Sequence, residues 1–247
     1  MSDERSYPGR ELNSMGFAVN YHRWILELLD PYIGTRIVEV GAGTGSLSSL
    51  LLDRDIESLT ALEPSANMYP LLAARIEGID SRSVVKTMQK TLADASSSLA
   101  ETEPPDSILY INVLEHIEDD AAELRTAYRL LAPGGRALVF VPAHEWLTGR
   151  IDRQLGHYRR YNRKTLIAKF EAAGFAVCFS AYFDLLGILP WWLRYRVLQS
   201  DRMEPAGVRI YDRWGVPISR ALDAISNRRM GKNIIVVGER PASSKPV

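Results

Sequence analysis

An α/β domain built on a doubly wound, mostly parallel sheet is what this sequence predicts, and three observations carry the expectation. Short apolar runs alternate with helical spacing from residue 20 to residue 180, the pattern of β–α–β units with right-handed crossovers. One run, Arg36–Val40, leads straight into Gly41-Ala42-Gly43-Thr44-Gly45 and then a helical stretch, the opening turn of such a sheet. The 247 residues are 46% hydrophobic with 17 Gly and 13 Pro, ordinary globular usage that makes a single domain over 1–247 the default.

Residues 1–15 read as a loose arm. Asn20–Leu29 carries Trp24, Ile25, Leu28 and Leu29 at helical spacing, with Pro31 just past it, so residues 1–30 form an N-terminal helical cap. Ser46–Leu52 is the helix after the glycine turn. Ser58–Leu62 is a second strand ending at Glu63-Pro64, followed by a helix over Ala66–Ile76 and a weakly signalled strand over Ser83–Thr87. Ala95–Pro105, rich in Ser, Glu and Pro, reads as a surface connection. Ser107–Ile111 is a fourth strand ending at Asn112, and Asp119–Leu131 a helix stopped by Pro133-Gly134-Gly135. Arg136–Val141 is a fifth strand, stopped by Pro142. Arg163–Ala173 is a helix with Asn162 as its N-cap and Gly174 as its stop. Phe175–Ser180 is a sixth strand and Ile234–Val237 the last. The stretch 181–232 does not alternate cleanly and reads as an apolar, lid-like insertion; Pro241–Val247 is a frayed tail.

Thirty basic residues balance thirty acidic ones, which argues against bulk electrostatic binding to nucleic acid. The single cysteine, Cys178, makes no internal disulfide and excludes thiolate zinc sites and CxxC redox chemistry. The cytoplasm is the expected compartment. Met1–Asn13 is polar and charged, with no signal peptide visible. No uncharged apolar run reaches the ~18 residues of a membrane span; Phe183–Leu193 is too short and is broken by Asp184 and Pro190.

Glycine at 41, 43 and 45 lets the backbone turn tightly and approach a ligand, and the following helix offers free N–H groups. Twenty residues past Gly43, Glu63 ends the second strand, where a carboxylate accepts both hydroxyls of a ribose. The pair points to a nucleoside-containing ligand over the C-terminal edge of the sheet. The dinucleotide fingerprint GxGxxG is not met: its sixth position is Ser46, and the third glycine arrives one residue early at Gly45.

With Glu39-Val40-Gly41-Ala42-Gly43-Thr44-Gly45, Leu62-Glu63-Pro64, the stretch 112–120 (NVLEHIEDD) and the stretch 130–135 (LLAPGG), residues 20–180 resemble the class I S-adenosylmethionine-dependent methyltransferases. The resemblance implies a Rossmann-like seven-stranded sheet, mostly parallel with a last antiparallel strand, and S-adenosylmethionine as cofactor. It implies that Glu39, Gly41, Ala42, Gly43 and Gly45 flank the methionine part, that Glu63 and Pro64 hold the ribose, and that Asn112, Val113 and Leu114 lie beside sulfonium and purine. Tyr21, from the N-terminal cap, joins this set. An acid shortly after the third strand is usual for the adenine amine, but none stands in Met88–Leu92 before Asp94, which leaves Thr91 and Leu92 as backbone candidates.

A sulfonium methyl is already activated, so aligning a nucleophile behind it is the main task. An alcohol or phenol gains further from a positioned base. Among the four histidines, His116 and His144 are the candidate bases; each also has the plain reading of a packed loop residue. Glu115, His116, Asp119 and Asp120 fit no common ligand spacing, and acids at a helix start suit its dipole, so no metal site is expected. From Arg150 to Lys164 six Lys/Arg stand against one Asp. Within that patch, Gly156-His157-Tyr158-Arg159-Arg160-Tyr161 resembles a motif of a methyltransferase subgroup associated with cell-surface saccharide and lipid pathways. His157, Tyr158, Arg159 and Arg160 are therefore acceptor-binding candidates, with the alternative that the arginines pair with nearby acids. Trp191 joins them from Tyr182–Arg196, where paired tryptophans beside arginines suit a lid, a membrane interface or a dimer contact. The expected partner is a small-molecule or lipid-like acceptor, anionic if the arginines are free. A nicotinamide-dependent oxidoreductase and a catalytically silent cofactor-binding module stand as alternatives. No Asn-Pro-Pro-Tyr loop or Pro-Cys nucleophile supports nucleic-acid methylation. Monomer and homodimer are both open.

Overall fold

The computed structural model describes residues 18–200 and 204–242; the expected loose arm and the last five residues of the tail lie outside them. Helix α1 (Val19–Leu29) comes first. Then follow β1 (Arg36–Val40), α2 (Ser46–Leu52), β2 (Ser58–Leu62), α3 (Tyr69–Glu77), β3 (Val84–Met88), α4 (Leu92–Ala100), β4 (Ser107–Ile111), α5 (Asp120–Leu130) and β5 (Arg136–Pro142). The second half holds α6 (Arg150–Gln154), α7 (Arg163–Ala172), β6 (Ala176–Phe183), α8 (Ile188–Trp191), α9 (Pro205–Ile210), α10 (Val216–Ile225) and β7 (Asn233–Glu239). The seven strands form one sheet in the order β3-β2-β1-β4-β5-β7-β6. All pairings are parallel except those of β7, which runs antiparallel to both β5 and β6.

Strand alternation sorts the core into two layers, because successive side chains point to opposite faces. Ile37, Leu109, Leu138, Phe140, Ile235 and Val237 meet α1 through Trp24, Ile25 and Leu29 on one face. Val38, Ile108, Tyr110, Val139, Val141 and Val236 meet α4, α5 and α7 on the other. Asn162 caps α7 as expected, its side-chain oxygen accepting from Thr165 N at 2.9 Å.

Two expectations are corrected. Residues 95–100 of the expected surface connection 95–105 are helical, part of a helix over 92–100: Leu92, Ala95 and Leu99 recur at helical spacing, are buried, and pack in the core. The Ser-rich positions between them face outward and masked that stripe. The sixth strand runs on to Phe183, whose ring packs against Trp24 and Phe140, so the excursion before the last strand begins at Asp184. Among its described residues the excursion is mostly helical, and α8 and α9 each pass into a π-helical turn, Trp192–Val197 and Tyr211–Gly215. Among the described residues no helix is long and apolar enough to cross a membrane.

Candidate functional site: a cleft at the carboxyl ends of the parallel strands

The loops after β1, β2, β3 and β4 open into a cleft of about 1150 Å³, roofed by α1 and the 184–232 excursion. Gly41, Gly43 and Gly45 take φ of 69°, 58° and 77°, the left-handed region that favours glycine. At Gly41 there is no room either: an added Cβ would stand 2.6 Å from a Val113 methyl. Glu63, buried at the end of β2, accepts from Gly43 N at 2.8 Å and from Ser65 N at 2.9 Å. Deeper in the turn, Glu39 accepts from Ser48 Oγ at 2.5 Å. Burial pushes the Glu39 carboxyl up to about 7, only partly offset by that hydroxyl.

Ala42, Gly43, Glu63, Pro64, Thr91, Leu92, Asn112, Val113 and Tyr21 all line the cleft. Asn112 carries φ 55°, one of the few residue types that tolerate it. Thr91 caps α4, accepting from Asp94 N at 3.1 Å while its hydroxyl donates to the Asp94 carboxylate at 2.7 Å. Asp94 lines the same edge, so the acid missing from the loop after β3 stands one helical turn later. The Tyr21 hydroxyl lies 3.1 Å from both Asp184 Oδ2 and Asn233 Oδ1, which ties α1 to the excursion and to β7. Asp184 is fully buried. It also accepts from Ser219 Oγ at 2.8 Å, Gly187 N at 3.1 Å and the Tyr211 hydroxyl, and it pairs with Lys232 Nζ at 3.2 Å. Burial alone would raise its pKa, but Lys232 and the two hydroxyls outweigh that and hold it below the usual carboxylate value.

The basic aromatic loop folds back across the sheet edge. His157 and Tyr158 line the cleft, with Tyr158 N donating to Glu115 O at 2.9 Å. Arg160 is buried, donates to Asp152 at 2.7 and 2.8 Å, and lies 4.9 Å from the Trp191 ring. Arg159 is spent elsewhere, on Asp120 at 2.8 Å and on the Glu118 carbonyl at 2.7 Å. Both arginines are thus paired with acids, so neither stands as a free cation for an anionic acceptor. The Arg160–Asp152 pair falls within the basic patch itself, whereas no local spacing signalled the partner of Arg159, because Asp120 lies 39 positions before it.

Four expected site residues do not face the cleft. His144, one of the two candidate bases, stacks on Tyr182 at 5.1 Å, and its buried Nε2 has no hydrogen-bond partner among the described residues. A positive φ of 61° after β5 turns it toward β6. Leu114 is fully buried in the core instead. Gly45 serves the turn as the N-cap of α2, and Arg159 lies outside the lining. His116 does line the cleft. Burial depresses it to about 3, with His157 adding to the effect, so it is a neutral imidazole at physiological pH. Glu115 is fully buried beside it, with neither carboxylate oxygen bonded among the described residues. Burial pushes Glu115 up to about 7, with His157 and Arg160 pulling the other way. Glu115, His116 and His157 bring one ligand atom each within 4.8 Å of one another. Asp119 and Asp120 do not join them: Asp119 caps α5 and Asp120 pairs with Lys169 and Arg159.

A Rossmann-like sheet with an antiparallel last strand, a glycine turn and an acid ending β2 together define the class I methyltransferase fold. A family model described as "Methyltransferase domain" matches residues 16–178, and the chain belongs to that family. Among curated relatives, the ubiquinone biosynthesis O-methyltransferase of Xylella fastidiosa (strain 9a5c) is 34% identical over 110 residues, 44% of this chain and 42% of that protein. The enzyme of the same name from Vibrio parahaemolyticus is 27% identical over 112 residues, 45% of this chain and 46% of its own. The chain thus spans less than half the length of these relatives. Among solved structures, a chain of the complex between the Haloferax volcanii Trm112 methyltransferase activator and a methyltransferase aligns with TM-score 0.65 at 16% identity, over 97% of this chain and 96% of that one. A SAM-dependent methyltransferase from Archaeoglobus fulgidus aligns with TM-score 0.61 at 15% identity, over 92% and 98%. Likeness at that identity speaks for the fold.

Proposed function

We propose that this protein transfers a methyl group from S-adenosylmethionine to an oxygen of a small or lipid-like acceptor, in the cytoplasm. One observation carries the cofactor half: the buried Glu63 carboxylate, fixed by two backbone amides at the mouth of the glycine turn. Each of its oxygens keeps a lone pair beyond the one its amide uses, and a ribose diol engages both. Gly41, Ala42 and Gly43 offer a backbone surface for the methionine part, Asn112 and Val113 border the reacting end, and Thr91, Leu92 and Asp94 edge the adenine. When bound, the cofactor supplies the activated methyl. The residues around it align and desolvate, and alignment of this kind contributes about 7–11 kcal/mol.

Two facts support the acceptor half. The partly matching curated relatives are named O-methyltransferases. Tyr158, Trp191 and Tyr195 give the cleft lining an aromatic face, and Arg159 and Arg160 are already paired. We take α1 and residues 184–232 as the lid over that side. Leu189, Trp192, Leu193, Val197 and Leu198 are exposed on it, which suits an acceptor drawn from the inner face of a membrane.

Calorimetry with S-adenosylmethionine and S-adenosylhomocysteine tests the cofactor half. Hydrogen bonds to a charged group are worth about 1.5–3 kcal/mol, so Glu63→Ala should weaken both ligands by roughly 10- to 100-fold. Unchanged binding in that variant, or binding of a nicotinamide dinucleotide with none of the sulfonium, refutes the placement. For the acceptor half, label from methyl-labelled cofactor should enter phenolic lipids in an organic extract. Label found only on amines would overturn the choice of oxygen.

A further inference from the structure

We propose that Glu115, His116 and His157 bind a divalent first-row transition-metal ion in the cleft. Two imidazoles and one carboxylate are a familiar donor set for Zn²⁺, Fe²⁺ or Mn²⁺, and their ligand atoms lie within 4.8 Å of one another. Three further observations separate this cluster from a chance gathering of polar groups.

The first is the state of Glu115. Its side chain is fully buried, yet among the described residues neither carboxylate oxygen has a hydrogen-bond partner, although Arg160 lies within electrostatic reach. A buried carboxylate left so is costly, and a cation bound at its oxygens removes that cost. The second is the way the histidines are held. His157 Nδ1 lies 3.1 Å from Asp152 Oδ1, and a ring nitrogen of His116 donates to the Leu155 carbonyl. A ring nitrogen held by a carboxylate or a carbonyl in this way is the pattern that orients metal-binding imidazoles. The Asp152 carboxylate is itself fixed by Gly149 N at 2.7 Å and by Arg160. The third is position. All three residues line the cleft, and the two rings meet edge to face with centroids 4.6 Å apart. Three protein ligands leave coordination positions open to the cleft. An acceptor hydroxyl bound there loses its proton more readily than in water, because a Lewis acid stabilises the oxyanion.

Metal binding does not depend on the acceptor reading, and both are measured on the same samples. Full-length protein is stripped with a chelator and titrated with Zn²⁺ by calorimetry. One Zn²⁺ per chain is expected. Glu115→Gln and His157→Ala should each weaken it by on the order of 100-fold, and Asp152→Asn, which acts through His157, by about 10- to 100-fold. His144→Ala, outside the cluster, should leave it unchanged. Wild-type protein loaded with Co²⁺ should give a visible absorption spectrum of nitrogen and oxygen ligation, a readout that needs no variant to fold. No Zn²⁺ binding by the folded wild type, a Co²⁺ spectrum matching the free aqueous ion, or undiminished binding in both ligand variants would overturn the site. S-adenosylmethionine affinity in the same samples separates loss of the metal from failure of the methyltransferase reading.

Discussion

Asp184→Asn is the substitution whose cost the structure lets us work out most fully. Its Oδ1 accepts from Gly187 N, Ser219 Oγ and the Tyr211 hydroxyl, and its Oδ2 faces the Tyr21 hydroxyl and Lys232 Nζ. Asparagine tolerates the φ of 68° at this position and keeps one carbonyl oxygen for the first three donors. The amide NH2 then points at the Lys232 ammonium, donor against donor. The Lys232 side chain is only 18% exposed, so its charge is left partly buried and unpaired. Breaking a buried pair in this way costs about 3–5 kcal/mol. With a urea m-value of roughly 3 kcal/mol/M for a chain of this size, the midpoint should fall by about 1–1.7 M. Adding Lys232→Met removes the stranded charge and should recover most of the loss, so the pair shows a coupling energy above about 2 kcal/mol in a double-mutant cycle. Because Tyr21 and Lys232 line the cleft, ligand affinity should fall with stability in the single variant. A single variant within about 1 kcal/mol of wild type, or additive losses in the double variant, would refute the assignment of Asp184 as the charged strut between α1 and the connection that follows β6.

Gly41→Ala must seat a Cβ 2.6 Å from Val113 at φ 69°; overpacking and strain together should cost about 2–4 kcal/mol and displace the turn, read as a lower melting temperature and loss of cofactor binding. Leu99→Ala should cost about 2–5 kcal/mol in denaturant melts, whereas a residue in a surface connection would change stability by less than 0.5 kcal/mol. Glu39, with its folded-state pKa raised to about 7, stabilises fully below its unfolded value near 4.5 and loses that contribution as pH rises through 7. Glu39→Gln keeps a partner for Ser48 without titrating, so its stability relative to wild type should increase from pH 5 to pH 8 by up to about 3 kcal/mol. A constant difference across that range would exclude Glu39 as the titrating group.

What could be read from the sequence was whatever is encoded locally. Arg36–Val40, Ser107–Ile111 and Arg136–Val141 were visible because strands buried on both faces read as unbroken apolar runs. The glycine turn and Glu63 were visible because backbone geometry dictates residue type there. Helix α4 was hidden because three core positions, Leu92, Ala95 and Leu99, are a thin stripe in a Ser-rich segment. The partner of Arg159 was hidden because it is set by how loops cross, whereas Asp152, the partner of Arg160, stands in the same patch. His157 joins Glu115 and His116 from 41 residues away, a distance that no motif spacing reports. His144 follows β5 much as His116 follows β4, yet its positive φ turns the imidazole away from the cleft.

The antiparallel strand β7 has an architectural consequence. Phe183, which ends β6, is the register partner of Asn233, which begins β7. The chain between them leaves and rejoins the sheet at a single doorway, as one oversized hairpin connection. Such a loop grows or shrinks at an entropic cost that rises only with the logarithm of its length, and no strand need shift. Evolution can therefore reshape one wall of the cleft while the glycine turn and Glu63, carried by the parallel strands, stay in place, one chassis accepting many tools.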